Sequence, residues 1–270
     1  MTIIFKAKSQ EAYVIKICAE LLANNVKTGC FVIDETGIYL RMMDHNRKVL
    51  IDMNLDAESF PIYKFNSKKM YLGINLNHLH RMMKSIKKKD SLELFIDDES
   101  INDLGIKVIP KENNRVTTSF VKIQSIQNLD IDLPETLTKS ISVPSSELQK
   151  MLKDFGSIGN TLTVSSKQFK IRFSCNAAGI LKRSVEFGED DELEEEIDEK
   201  NDFCQEFNTE QLCRITKISG LSNNIQIYPG KPLRFTSKIG NLGKISIYIK
   251  SKDQIENEQC NIESDGYDSE

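Results

Sequence analysis

Two pairs of short amphipathic segments recur at one spacing, and this duplication restricts the fold more than any other feature of the chain. Apolar residues in each segment follow the i, i+3, i+4, i+7 pattern of a helix that lies on a sheet. The pattern predicts helices over residues 10–24, 77–87, 145–155 and 209–218, and Ser145 and Thr209 are the predicted N-caps of the last two. An offset of about 133 residues superposes the second pair on the first. We therefore expect two similar halves.

Short runs with strand-like alternation lie between the helices and outnumber them. Examples are residues 28–33, 37–43 and 49–55 in the first half and 161–165, 180–187 and 243–249 in the second. Because no regular β-α alternation accompanies them, an α+β fold is favoured, with helices on one face of antiparallel sheets. We predict an N-terminal domain over 1–121, a connecting linker over 122–134, a C-terminal domain over 135–252 and a disordered acidic tail over 253–270.

The composition is that of a globular chain and excludes several classes of function. Hydrophobic residues make up 39% and charged residues 28% of the chain, and no apolar run approaches the ~20 residues of a membrane-spanning helix. The cysteines lack CxxC spacing and the histidines lack an HExxH pattern, so we predict neither a metal site nor a cofactor. The acidic run at 189–199 is contiguous, unlike the convergent carboxylates of a two-metal nuclease. We expect a solvated acidic loop there, and no enzymatic activity.

The charge of the chain is unevenly distributed. The formal net charge is −4, yet residues 189–200 contain nine acids and one Lys, and residues 251–270 contain seven acids and one Lys. The remaining body therefore carries +10. A basic body with two acidic appendages predicts a polyanionic partner that binds a restricted face.

Basic residues occupy the sides of the four helices that lie away from the apolar stripes. Arg81, Lys84 and Lys88 are spaced i, i+3, i+7, as one row on a helix. A solvated face explains any single helix, but four basic faces in a duplicated fold favour binding. Lys and Arg without interleaved aromatic residues suit phosphate contact, which is sequence-independent and sensitive to salt. The candidate phosphate-binding residues are Lys16, Arg81, Lys84, Lys88, Lys150, Lys153, Arg214 and Lys217.

A series of short segments, in order, carries a family resemblance. Residues 37–44, GIYLRMMD, resemble the pattern G-x-x-L-x-x-M-D, and residues 72–76, LGINL, resemble a G-V-N-L segment before a helix. Residues 153–160, KDFGSIGN, are similar to R-D-L-S-x-I-G-D, and residues 238–243 resemble a closing hairpin. These patterns are those of the eukaryotic and archaeal DNA sliding clamps known as the proliferating cell nuclear antigen (PCNA) family. The resemblance runs from the opening strand to about Lys252.

The resemblance implies a head-to-tail homotrimer in which twelve helices surround duplex DNA. At ~9 Å between axes, twelve helices form a circle ~34 Å across, or ~24 Å clear of the helix half-widths. B-DNA, at ~20 Å, fits this hole. Residues 115–120 of one chain and about 180–185 of the next would join the subunits edge to edge. It implies that DNA faces Lys16, Arg81, Lys84, Lys150, Lys153 and Lys217; helical phase adds Lys88 and Arg214.

A pocket beside the linker is the second surface that the resemblance implies. In the family it receives a peptide motif, the PIP box, of DNA polymerase, the clamp loader and other replication and repair proteins. The matching positions are Met43, Leu50, Ile131, Leu133, Pro232 and Tyr248. Apolar residues on an exposed connector often mark an interface, although they also serve to pin a linker to the body.

The implied function is that of a DNA polymerase processivity factor and docking platform in the nucleus, or in a viral replication compartment. The chain departs from the family at Lys250 and Ser251, where a small apolar residue and a proline are usual, and Arg47 and Lys48 make the pocket rim more basic. We therefore expect partners with more acidic or altered peptide motifs. The alternative is one subunit of a heterotrimeric DNA-damage checkpoint clamp, which would not form a homotrimer by itself.

Overall fold

The computed structural model describes residues 2–112, 115–135, 138–167, 169–177, 179–188 and 203–265, with side chains described up to residue 260. The elements of the N-terminal half are β1 (Ile3–Ser9), α1 (Ala12–Asn25), β2 (Thr28–Ile33), β3 (Gly37–Met43), β4 (Val49–Asp56), a 3-10 turn (Ala57–Ser59), β5 (Ile62–Phe65), β6 (Met70–Asn75), α2 (Leu76–Met83), β7 (Ser91–Asp97), β8 (Asp103–Ile109) and β9 (Thr117–Lys122).

The C-terminal half repeats this order in its described residues, apart from β5, whose position in the order falls in the range 189–202, outside the described residues. Its elements are β10 (Ile141–Pro144), α3 (Ser145–Gly156), β11 (Thr161–Lys167), β12 (Lys170–Ala177), β13 (Leu181–Phe187), β14 (Phe203–Asn208), α4 (Thr209–Arg214), a 3-10 helix (Thr216–Gly220), β15 (Asn224–Tyr228), β16 (Leu233–Ile239), β17 (Gly243–Ile249) and α5 (Lys252–Asp265). Within the described ranges, no helix is both long and apolar enough to cross a membrane.

Equivalent caps at the starts of α2 and α4 support the duplication. The Asn75 side chain accepts a hydrogen bond from the backbone of His78, and the Asn208 side chain accepts one from Glu210. The two asparagines are about 133 residues apart, the offset that superposes the helices. Ser145 and Thr209, the predicted caps, instead lie at the first helical positions of α3 and α4.

Three antiparallel sheets form the described part of the fold. One has the order β5-β1-β7-β8-β9, a second β13-β12-β11-β14, and the third β10-β15-β16-β17-β4-β3-β2-β6. The third sheet joins the halves, because β17 of the C-terminal half pairs with β4 of the N-terminal half. The predicted α+β clamp fold with two similar halves is confirmed. We retain 122–134 as the proposed linker.

Apolar faces of the helices and sheets form the core. Leu21 and Leu22 in α1, and Leu152 and Phe155 in α3, are at most 2% exposed. Burial of a side chain of this size contributes about 1.5–3 kcal/mol relative to its exposure. The apolar residues that follow the helical period in the sequence are thus the buried ones, and the opposite sides of the helices remain at the surface.

The predicted disordered tail is wrong over residues 253–265, where α5 is helical. Ser251 and Gln254 form a reciprocal capping box: the Ser251 hydroxyl accepts from the Gln254 backbone, and the Gln254 side chain accepts from the Ser251 backbone. The Lys252 ammonium, 3.7 Å from the Glu206 carboxylate, ties the first turn to β14. Residues 266–270 and the predicted acidic loop at 189–199 lie outside the described residues.

Candidate DNA-facing layer and partner-docking surface

The four helices of the two halves lie side by side in one layer. Helix α1 contacts α2, α4 and the 3-10 helix, while α3 contacts α4 and the 3-10 helix. The order across the layer is therefore α2, α1, α4 and α3. Gly220 allows a close approach between helices of the two halves, because a Cβ there would lie 2.9 Å from the Ile17 side chain. An ion pair of 2.8 Å between Lys217 and Glu20 joins the halves at the surface of this layer.

Five of the eight predicted phosphate-binding residues are exposed on or beside this layer. They are Arg81, Lys84, Lys88, Lys150 and Lys153. Lys150 also binds Glu147 at 2.8 Å, and the hydrogen bond and the negative charge of that carboxylate raise the pKa of the Lys150 ammonium. These ammonium and guanidinium groups point away from the core and can meet a polyanion without rearrangement of the fold.

The other three predicted residues already have partners in the chain. The Lys16 ammonium donates to the carbonyl oxygens of Lys84 and Ile86, at 2.8 and 3.0 Å. It therefore caps the C-terminal end of α2, where free carbonyls attract a cation. Arg214 lies 2.5 Å from Glu210, and Lys217 is bound to Glu20.

The predicted helical row of Arg81, Lys84 and Lys88 is interrupted. Helix α2 ends at Met83, so Lys84 is its C-cap and Lys88 lies in the following turn. Tyr13 lies between two of the candidates, with its ring centroid 5.5 Å from the Lys16 ammonium and 6.0 Å from that of Lys88. The basic surface is thus partly held in place by contacts with α1.

A row of directly opposed residues crosses five strands on the outer face of the large sheet. We call it the docking row; from β15 to β3 it consists of Tyr228, Arg234, Tyr248, Leu50 and Met43. Opposed residues share one face of an antiparallel sheet. The neighbouring opposed row, Ile227, Phe235, Ile247 and Ile51, is fully buried in the core. The docking row therefore lies on the other face of the sheet, where Leu50 and Tyr248 are still only 5% and 4% exposed.

The docking row brings together three of the six predicted pocket residues, Met43, Leu50 and Tyr248. Pro232 lies two residues before Arg234, immediately before β16, and follows a cis peptide bond. Tyr228 and Arg234 were missed from the sequence, because only the strand register aligns them with Tyr248. The Arg234 guanidinium stacks on Tyr228, with its central carbon 3.6 Å from the ring centroid.

The linker is fastened beside this row. Arg41, two residues before Met43 on β3, forms an ion pair with Asp52 at 2.8 Å and donates to the Ile131 carbonyl at 3.1 Å. Ile131 and Leu133, the two predicted pocket residues of the linker, are half-buried. The linker is also held at its start, where the Gln124 backbone donates to Gly73 at 2.8 Å.

Two further observations concern possible ligand sites among the described residues outside these surfaces. An apolar cavity lies inside the N-terminal half, lined by residues such as Phe5, Cys18 and Met53, and includes none of the predicted docking residues. Across the described ranges, no group of three or more His, Cys, Asp or Glu side chains is arranged to hold a metal ion.

The family models that match the two halves of the chain describe the same protein family. Models of the PCNA N-terminal and C-terminal domains match residues 4–133 and 133–252. "Uncharacterized protein 436R" of Invertebrate iridescent virus 6 is 27% identical over 211 residues, which are 75% of this chain and 69% of that protein. The proliferating cell nuclear antigen of Chaetomium thermophilum is 24% identical over 256 residues, 92% of this chain and 97% of that protein.

A solved structure supports the fold. The crystal structure of proliferating cellular nuclear antigen from Entamoeba histolytica superposes with a TM-score of 0.80 at 20% identity, over 93% of this chain and 100% of that chain. Two duplicated α+β halves, joined through one sheet and covered by a single helix layer, define the class of DNA-clamp folds. The chain belongs to the PCNA family of sliding clamps.

Proposed function

We propose that three copies of this chain close into a ring that encircles duplex DNA. The proposal rests on the pairing of β17 with β4. Each of these strands has a counterpart in the other half, and that counterpart has no strand paired to its outer edge within the described chain. The counterpart of β17 is β9, at the edge of the five-stranded sheet, and that of β4 is β13, at the edge of the four-stranded sheet. Pairing β9 of one copy with β13 of the next repeats the seam already formed inside each copy.

Exposed apolar side chains on these two edges support the pairing. Val116 and Phe120, beside and on β9, are 47% and 54% exposed, and Ile180 and Leu181, beside and on β13, are 85% and 58% exposed. Apolar side chains beside free strand edges favour association with another chain. Repeated head to tail around a threefold axis, the contact forms a closed ring.

The duplication also supplies a register for the seam. Tyr248 opposes Leu50 and Ser246 opposes Asp52 in the β17–β4 pair. Alignment of the two halves through their cross-strand pairs equates Tyr248 with Phe120 and Ser246 with Thr118. It likewise equates Leu50 with Lys182 and Asp52 with Ser184. In the proposed ring, Phe120 opposes Lys182 and Thr118 opposes Ser184.

The helix layer would line the bore of such a ring. Exposed Arg81, Lys84, Lys88, Lys150 and Lys153 would meet DNA phosphates, so binding is sequence-independent and falls as salt rises. Lys16, Arg214 and Lys217 would add positive charge near the bore while they remain engaged with their partners in the chain. A clamp of this kind slides because it contacts no base edges.

The docking row and linker would receive PIP-box peptides of a DNA polymerase, a clamp loader and other replication and repair proteins. The chain would then act as a polymerase processivity factor and non-enzymatic platform, in the nucleus or a viral replication compartment. The match of both domains to PCNA models favours this replicative role over a subunit of a heterotrimeric checkpoint clamp.

Engineered cysteines test the ring and its register. Directly opposed residues have Cα atoms about 4.5–5.5 Å apart, within the range that a disulfide spans. With exposed Cys204 and Cys260 replaced by Ser, the pair Thr118→Cys and Ser184→Cys should give covalent dimers and trimers on mild oxidation. The shifted pair Ser119→Cys and Ser184→Cys is the control, because neighbouring strand residues face opposite sides. A purified chain that remains monomeric at high concentration and forms no crosslink refutes the ring.

A further inference from the structure

Lys250 lies among the residues of the docking surface. Its backbone N–H donates to the Lys48 carbonyl at 3.0 Å, which extends the β17–β4 ladder by one step. Alternate residues of a strand share a face, so Lys250 lies on the face of Tyr248, and Lys48 on that of Leu50. Because Leu233 opposes Ile249, Pro232 lies on the other side of Lys250. A positive charge therefore lies between positions that a docked peptide would cover.

This lysine is occupied by a carboxylate from the chain itself. The Lys250 ammonium lies 2.6 Å from the Glu258 carboxylate of α5. The Lys250 side chain is only 21% exposed, whereas that of Glu258 is 53% exposed. Glu258 is thus the more easily displaced of the two, because its side chain is the more exposed.

Arg234 supplies a second donor on the same face. Its Nε atom is buried, and the described residues offer it no hydrogen-bond acceptor. The central carbon of its guanidinium lies 3.6 Å from the ring centroid of Tyr228 and 5.9 Å from that of Tyr248. A stacked guanidinium can still donate to a carboxylate through its terminal N–H groups.

We propose that this surface selects partner peptides that carry carboxylates beside their apolar motif, and that Glu258 is the intramolecular substitute for such a carboxylate. The proposal rests on the proposed docking function of the row. In the free clamp, Glu258 neutralises Lys250. A partner peptide displaces Glu258, binds Lys250 and Arg234 through acidic side chains, and seats its apolar residues against Tyr248 and Leu50.

A simpler role for the ion pair is to hold α5 against the body. In that case the charge of a peptide is irrelevant, because Lys250 never leaves Glu258. The two roles differ in the ratio of affinities for an acidic and a neutral peptide, and this ratio is therefore the quantity to measure.

The probes are two fluorescent PIP-box peptides of one sequence, flanked on both sides either by Asp or by Asn, with fluorescence anisotropy as the measurement. The full chain should bind the Asp-flanked peptide about two- to tenfold more tightly at low salt, since each partly exposed charge pair contributes a factor of about 1.4 to 5. Glu258→Gln should raise this ratio about two- to fivefold, because the internal competitor is lost. Lys250→Gln should reduce the ratio to that of the Arg234 contact alone.

Lys64→Gln, an exposed lysine on β5, is the matched control and should leave the ratio unchanged. Equal affinity of both peptides for the unmodified chain and for Glu258→Gln refutes the proposal while it leaves the docking function intact. If neither peptide binds, the docking function itself is wrong. A ratio that changes in Lys64→Gln as much as in Lys250→Gln reflects net charge alone and also refutes the proposal.

Discussion

Replacement of Phe120 by Ala is expected to weaken the proposed ring strongly. Phe120 is 54% exposed, whereas Tyr248, its counterpart in the seam inside the chain, is 4% exposed. If the intersubunit seam buries Phe120 to the same extent, roughly half of a ~200 Å² side chain leaves water, or about 100 Å². At about 25 cal/mol per Å² this contributes about 2.5 kcal/mol to each interface, equivalent to roughly 70-fold in its association constant.

Sedimentation equilibrium over a concentration series measures this effect directly. The trimer of Phe120→Ala should dissociate at concentrations where the unmodified trimer persists. Tyr71→Ala is the control, because Tyr71 is a similarly exposed aromatic residue, at 47%, on β6, which is neither of the two strands proposed to pair between copies. Phe120 also packs edge-on against Phe95 with ring centroids 6.0 Å apart, so the thermal midpoint of the monomer must be measured alongside. An unchanged trimer in Phe120→Ala, with the fold of the monomer confirmed as intact, contradicts the proposed seam.

Three further predictions concern other parts of the chain. Replacing Arg81, Lys84 and Lys153 by Gln should reduce the slope of log affinity for duplex DNA against log salt by about 2–3, because each phosphate contact contributes about 0.9. Fluorescence anisotropy measures this slope. The control is the exposed pair Lys64→Gln and Lys68→Gln, which should leave the slope unchanged. Ser251→Ala removes the capping box of α5 and should lower the free energy of local unfolding of that helix by about 1 kcal/mol, seen as faster amide exchange over residues 254–258. Burial raises the pKa of the Cys18 thiol to about 12, so Cys18 stays protonated at pH 8. It should therefore not react with an aromatic disulfide reagent, whereas the exposed Cys204 should react. Rapid labelling of Cys18 in the folded chain would contradict this prediction.

The duplicated helices could be predicted because their burial follows a local period. The ends of the helices could not be predicted, because they depend on contacts with residues that are distant in the sequence. The sequence predicts α2 through residue 87, but the helix ends at Met83, and the Lys16 ammonium binds the carbonyls of Lys84 and Ile86 just beyond that end. Ser145 has a good capping side chain, yet β10 extends to Pro144 and leaves the Ser145 hydroxyl buried inside the first turn.

The docking surface was only partly predictable, because its members meet through strand register. Met43, Leu50 and Tyr248 were named from the family resemblance, but no periodicity links them with Tyr228 and Arg234. One missed feature did have a local signal. The S-x-x-Q sequence that begins at Ser251 is a capping box, and it marks the start of α5 in a segment whose acidic composition favours disorder.

Duplication would also account for one docking surface per copy in the proposed ring, which has two kinds of seam. At the seam inside the chain, the outward row reads Tyr228, Arg234, Tyr248, Leu50 and Met43. The equivalent row across the proposed intersubunit seam reads Phe95, Gly105, Phe120, Lys182 and Asn176. Lys182 and Asn176 replace the apolar Leu50 and Met43, and the first seam has the proposed linker fastened beside it through Arg41. The same backbone pairing can therefore close the ring at one seam and hold a peptide at the other, because divergence of side chains, not of fold, separates the two tasks.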